Sequence, residues 1–282
     1  MIVQKQIDTF IMNLNLVDNG ISAALYTHGA REKAFMSILN RTVQKGDVCI
    51  DLGANIGYTT LFMLRNVGSE GYVYAIEPDQ HNIDMLRSNI VLNGFSNRCD
   101  IDKCVISDSV KETDFWIAKH PNLNSVKKTK HSIRKETIQA YSLTSYMEGK
   151  EYPNFIKMDV EGHEVKIFEG GLDYFTKNPG KTSFLVEVHP HFYDEENNFE
   201  AILEEYFKIG FNCDYVVSTP IPRPQLFKDN HYYPSEEILT DGFKRGVYKK
   251  IKNKHLLEFA CRENIEGRSK KIVRSFMLTR DK

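Results

Sequence analysis

Short apolar runs alternate along this chain with stretches in which apolar positions recur at helical spacing. Residues 48–51, 72–76, 100–106, 155–159, 183–189, 211–217 and 272–278 read as strands. Phe35, Met36, Ile38 and Leu39 mark one face of a helix over 32–42, and Leu61, Phe62 and Leu64 mark another over 58–64. Ile83, Leu86, Ile90 and Val91 mark a third, which starts after Pro78 and stops at Asn93-Gly94. Val165, Ile167 and Phe168 mark a fourth, ended by Gly170-Gly171. Phe199, Ile202, Leu203, Tyr206 and Phe207 give the clearest periodicity, closed by Gly210. Strands alternating with helices predict an α/β fold with a mainly parallel sheet covered on both faces.

Other stretches are less regular. Phe10, Ile11, Leu14, Leu16 and Val17 suit a short helix or an edge hairpin. Residues 113–118 read as a strand, 119–135 as a polar, basic loop, 137–140 as a short strand and 143–147 as a helical turn. The division expected is a helical and loop extension over 1–46 packed on the core, a core over 47–217, an insertion over 218–271 that serves as a substrate lid, and a last strand and tail over 272–282.

Composition narrows the function classes. In 282 residues, 37 Lys and Arg face 38 Asp and Glu, so no global field recruits nucleic acid or an anionic membrane. The five cysteines form no Cys-x-x-Cys pair and suit buried free thiols in a reducing compartment. No apolar leader and no spanning run is visible, which makes a soluble cytoplasmic protein the expectation.

The first strand runs into Asp51-Leu52-Gly53-Ala54-Asn55-Ile56-Gly57, and the second ends at Glu77. Strand, glycine turn, helix, strand, acid is a nucleotide-handling layout. Asn55 stands where a dinucleotide fingerprint has its middle glycine, so its side chain obstructs the approach to a pyrophosphate. The turn suits a ligand carrying an ammonium and a carboxylate. S-adenosylmethionine has both, and Glu77 can accept hydrogen bonds from its ribose hydroxyls.

Lys157, Asp159, Glu161, His163 and Glu164 cluster at the end of the fourth strand, where ligands of open α/β sheets bind. One reading is an internal Lys157–Asp159 pair with solvated neighbours. The other is a catalytic or cofactor-supporting cluster. Methyl transfer to a hydroxyl needs alignment and proton removal. His163 is the first candidate base, Asp159 or Glu161 can serve instead, and His189 beside Glu187 is a rival. Asp159, Glu161 and Glu187 can alternatively collect a divalent metal. Two basic runs, 127–135 and 244–254, raise the expectation of an anionic acceptor.

The run Asp51-x-Gly53-x-Asn55-x-Gly57, then Ile76-Glu77-Pro78, then Ile156 to Glu164 with its Lys-x-Asp-x-Glu-Gly core, resembles the FkbM-type family of S-adenosylmethionine-dependent methyltransferases. Gly29-x-Arg31-Glu32, Asn124-Ser125 and Glu187-Val188-His189-Pro190 add lesser matches, and 218–271 matches nothing in the family. The resemblance implies a Rossmann-like seven-stranded methyltransferase fold with an antiparallel last strand, and O-methylation of a sugar or secondary metabolite. It implies that Asp51, Gly53, Asn55 and Gly57 hold the methionine end, Glu77 the ribose, and Ile106 and Ser107 the adenine. Some related O-methyltransferases use magnesium. A small-molecule or glycan acceptor is expected, with no nucleic acid and no membrane partner. The competing functions are N- or nucleic-acid methylation, against which no Asn/Asp-Pro-Pro-Tyr/Phe follows strand four, and a cofactor-binding sensor without turnover. Asn55 disfavours a dehydrogenase.

Overall fold

A computed structural model describes residues 1–281 apart from 18–19, 119–123, 222–224, 263, 266–267 and 270. The chain opens with an antiparallel hairpin, β1 (Ile2–Ile7) and β2 (Phe10–Asn15). Phe10, Met12 and Leu14 are buried while Ile11 is exposed, and this period of two settles hairpin over helix. Helices α1 (Ile21–His28) and α2 (Lys33–Thr42) follow.

The strand–helix alternation begins with β3 (Val48–Leu52), α3 (Tyr58–Val67), β4 (Tyr72–Ile76), α4 (Gln80–Leu92) and β5 (Cys99–Asp102). It resumes with β9 (Phe155–Met158), α6 (Glu164–Lys177), β10 (Thr182–Glu187), α7 (Phe199–Lys208) and β11 (Asn212–Pro220). Between these blocks lie β6 (Val105–Ser107), β7 (Lys111–Ala118), β8 (Ser132–Ser142) and the single turn α5 (Leu143–Tyr146). After β11 come α8 (Gln225–Asp229), β12 (Glu236–Thr240), β13 (Phe243–Lys249), α9 (Asn253–Ala260) and the two-residue strands β14 (Asn264–Ile265) and β15 (Arg268–Ser269). The last strand is β16 (Val273–Arg280).

The main sheet has the order β12-β13-β11-β16-β10-β9-β3-β4-β5. Its seven central and outer strands from β11 to β5 form the expected methyltransferase sheet, with β16 antiparallel to both neighbours. Strands β12 and β13 extend it to nine by antiparallel pairing on β11. The chain leaves β3 toward β4 and β5, then returns to β9 and β10 on the other side. That reversal opens a crevice beyond the carboxyl ends of β3 and β9. One apolar layer, with Phe168, Phe175, Phe184 and Tyr206, lies on one face of the sheet. Leu39, Leu61, Leu64 and Leu86 belong to the layer on the other.

Three expectations change. The strand expected over 100–106 divides at Lys103 and Cys104, so that β5 stays in the main sheet and β6 joins a second sheet of order β6-β8-β7. Residues 132–135, expected in a loop, begin the long strand β8; residues 119–123 of that loop lie outside the described residues. Strand β8 buries only Ile138 and Ala140 against Phe115 and Ile117, so its polar face hid it. Helix α6 runs through Gly170-Gly171 to Lys177. A side chain at Gly170 would strike the Ser107 carbonyl, and one at Gly171 would come within 2.9 Å of the Tyr206 hydroxyl. These glycines permit close packing and do not end the helix. All five cysteines are buried and free. Among the described residues, no helix is long and apolar enough to cross a membrane.

Candidate active site

The turn after β3 is built by three residues of positive φ: Gly53 (75°), Asn55 (49°) and Gly57 (90°). Asparagine tolerates this left-handed region better than most residues, so Asn55 keeps the backbone path without a glycine. Its side chain turns back, Oδ1 accepting from the Ile56 amide at 2.9 Å. The amides of Gly53 and Ala54 both donate to the Ile76 carbonyl at 3.0 Å. The Asn55 amide donates to Glu77 Oε2 at 2.8 Å, which ties the turn to the acid that closes β4. Glu77 Oε1 accepts from the Asp79 amide at 2.9 Å and from Asn82 Nδ2 at 3.3 Å. Burial, only partly offset by these donors, raises the Glu77 pKa to about 7.

Asp51 and Lys157 are direct neighbours across the parallel β3–β9 ladder. Lys157 Nζ lies 3.0 Å from Asp51 Oδ1 and donates to the carbonyls of Gly53 (2.8 Å) and Leu52 (3.2 Å). The expected internal partner of Lys157, Asp159, is therefore replaced by Asp51, because register places their side chains on the same face. The other Asp51 oxygen accepts from the hydroxyls of Thr59 and Thr60, each at 2.7 Å. Burial alone would lower the Lys157 pKa, but Asp51 and Asp159 outweigh it and raise it. The pair braces the turn from beneath.

Beyond β9 the chain turns sharply, with Glu161 at φ 49° and Gly162 at 94°. Asp159, Glu161 and His163 point into the cleft. His163 Nε2 lies 3.0 Å from Ser107 Oγ, and burial lowers its pKa to about 4. Burial, reinforced by Glu187, raises Asp159 to about 6. Burial raises Glu161 to about 7, although His189 opposes the shift. His189 follows β10; its Nδ1 lies 2.7 Å from Glu164 Oε1, and its Nε2 is 3.5 Å from both Glu161 and Glu187. Burial would lower the His189 pKa, but these carboxylates raise it well above the ordinary value. Glu187 is held low against burial by Arg274, whose Nη1 is 2.6 Å away. Arg274 also donates to Glu32 at 3.0 Å.

These groups line one cleft of about 350 Å³, a volume usual for small-molecule sites. Gly53, Asn55, Glu77 and Ile106 line it together with Lys157, Asp159, Glu161 and His163. Asp51, Gly57 and Ser107, expected at the cofactor, are not among the residues that line it; Asp51 is linked to it through Lys157 and Ser107 through His163. In strand order the crest reads Glu77 (β4), the turn (β3), Asp159 (β9), Glu187 (β10) and Arg274 (β16). Residues between β7 and β8 border the cleft: Asn124 Nδ2 donates to Asp79 Oδ2 at 2.8 Å, and Ser125 Oγ donates to the Glu161 carbonyl at 3.0 Å. None of the described residues of 218–271 lines the cleft, and neither basic run does. Arg274 escaped the sequence reading. Its signal is a charge inside an apolar run, which requires a buried partner.

MJ1452 of Methanocaldococcus jannaschii is 26% identical over 182 residues, 58% of this chain and 69% of that one. The hexuronic acid methyltransferase AglP of Haloferax volcanii is 26% identical over 164 residues, 56% of this chain and 62% of that one. The tRNA wybutosine-synthesizing protein 2 homolog of Mus musculus is 43% identical over 56 residues, 20% of this chain and 12% of that one. This chain thus spans less than two thirds of the last two relatives. The methyltransferase FkbM domain matches residues 51–217, spanning the turn, the β9 cluster and β10, and the chain belongs to that family of methyltransferases.

Proposed function

We infer that this chain transfers the methyl group of S-adenosylmethionine to a hydroxyl oxygen of a sugar or another small hydroxylated metabolite. The observation that carries the reading is the convergence of Asp159, Glu161 and Glu187 on one stretch of the cleft, next to the turn bound to Glu77. Asp159 Oδ1 is buried without a hydrogen-bond donor among the described residues, which suits an acceptor that brings hydroxyls. The relative named hexuronic acid methyltransferase supports a sugar. The acid-rich wall disfavours a polyanion such as RNA.

Glu77 takes the ribose hydroxyls, and Gly53 and Asn55 allow the methionine end to lie close on the turn. Ile106, flanked by Cys104 and Phe115, forms the apolar slot for adenine, backed by the Ser107–His163 contact. This order brings the sulfonium to the end of β9. There the acceptor oxygen attacks the methyl carbon in line with the departing sulfur. A C–O bond forms as the C–S bond breaks, the electron pair returns to sulfur, and the hydroxyl proton passes to a carboxylate. Glu161, partly open to the cleft, takes that proton. His163 is a poor base here because burial holds it neutral and Ser107 occupies its Nε2.

A labelled methyl donor offered with a panel of sugars, uronic acids and phenols tests the reading. Label on an acceptor oxygen is expected, with Glu161→Gln slowing turnover about 10²–10⁴-fold while cofactor binding persists. Label appearing on nitrogen or on RNA would remove the O-directed assignment.

A further inference from the structure

Asp159, Glu187 and His189 each present one donor atom, and these atoms lie within 4.8 Å of one another. Asp159 Oδ1 is closed to solvent and, among the described residues, has no hydrogen-bond partner. A buried carboxylate oxygen left without a partner is costly, so a ligand there is favoured. Behind the set, Glu164 accepts at His189 Nδ1, 2.7 Å away. Glu164 is itself fixed by the Gly162 amide at 3.1 Å and the Tyr193 hydroxyl at 3.2 Å. That arrangement fixes the ring through Nδ1 and turns Nε2 toward the cleft, the orientation that a histidine ligand requires. The 3.5 Å from Nε2 to Glu187 and to Glu161 is long for a hydrogen bond. It is close to the separation of roughly 3 Å between neighbouring donors around a single ion.

The geometry points to a divalent-cation site formed by Asp159, Glu187 and His189 Nε2, with Glu164 as the positioning residue behind the histidine. Its mixed carboxylate–imidazole donors suit Mn²⁺ or a close relative. Its use rests on the proposed methyl transfer: an ion at the end of β9 and β10 would hold the acceptor hydroxyl beside the sulfonium and ease its loss of a proton.

The test is Mn²⁺ titration of the full chain, stripped by chelator, followed by electron paramagnetic resonance without cofactor or acceptor. One Mn²⁺ per chain is expected, competed by Mg²⁺. Asp159→Asn and His189→Gln should each abolish it, and Glu164→Gln, which touches no ion, should weaken it about 10–100-fold. In the unaltered protein, Mn²⁺ should broaden the His189 ring signals in nuclear magnetic resonance before those of His28 or His81. No Mn²⁺ bound at millimolar concentration, binding unchanged in both ligand variants, or no selective broadening of His189 would overturn the site. Calorimetry with S-adenosylmethionine on the stripped protein keeps the two readings apart: cofactor binding with no Mn²⁺ site removes the ion and leaves the methyltransferase.

Discussion

Glu77 ties the turn to β4 and, in the proposed reading, takes the ribose of the cofactor. Burial raises it to about 7, against about 4.3 in an unfolded chain. The folded protein therefore binds this proton more tightly. Its contribution to stability is fully present below about pH 4.3 and is lost as pH rises through about 7. Urea denaturation of the ligand-free protein should show that loss, and Glu77→Gln should remove it. Cofactor binding runs the other way, since the ionised carboxylate is the better acceptor for two hydroxyls. Affinity should rise from about pH 6 to 8, and Glu77→Gln should cost about 1.5–3 kcal/mol at the upper end, seen by calorimetry. Gly53 makes a harder demand. A Cβ there would strike the Asp159 carbonyl, and φ is 75°. Gly53→Ala should lower stability by about 1–3 kcal/mol and abolish cofactor binding, checked by thermal denaturation and calorimetry.

At the scale of elements, α2 depends on a distant hairpin. The Lys33 amide donates to Thr240 Oγ1 at 2.8 Å, and the Glu32 amide to Asp241 Oδ1 at 3.1 Å. Side chains from the β12–β13 turn thus cap the helix start and hold Glu32 toward Arg274. Asp241→Ala should cost about 0.5–2 kcal/mol in denaturation and raise the acceptor KM, while cofactor affinity stays unchanged. This link shows what the sequence conceals. Strands β3, β9 and β10 were legible because burial on both faces makes them apolar runs, and β16 nearly so. The turn was legible because its glycines and Asn55 are residue types tied to positive φ. Strand β8 was hidden by its exposed face, and the course of α6 by glycines that serve packing. The Lys157–Asp51 and Arg274–Glu187 pairs depend on which strands lie side by side, information that no local pattern contains.

On the scale of the whole molecule, cofactor binding should couple to global stability. At about 100 times Kd, S-adenosylmethionine adds about 2.7 kcal/mol, and Tm should rise by about 5–10 °C in a thermal scan. NAD should give no rise. The position of β16 makes a second demand. It lies between β10 and β11, bonded to both, and Arg280 at its end donates to the carbonyls of Phe175 and Asn178 at 2.8 and 3.0 Å. Deleting residues 273–282 should leave little soluble protein after expression, because two hydrophobic strand edges lose their shared partner. The same placement has a temporal consequence. Synthesis at about 5–20 residues per second leaves β11 waiting roughly 3–10 s before β16 is made. During that interval the nascent chain carries an open seam in its sheet, and Glu187 has no Arg274 to neutralise it. The side of the cleft that carries Glu187 is therefore completed last, after the turn and β9 that lie beside it.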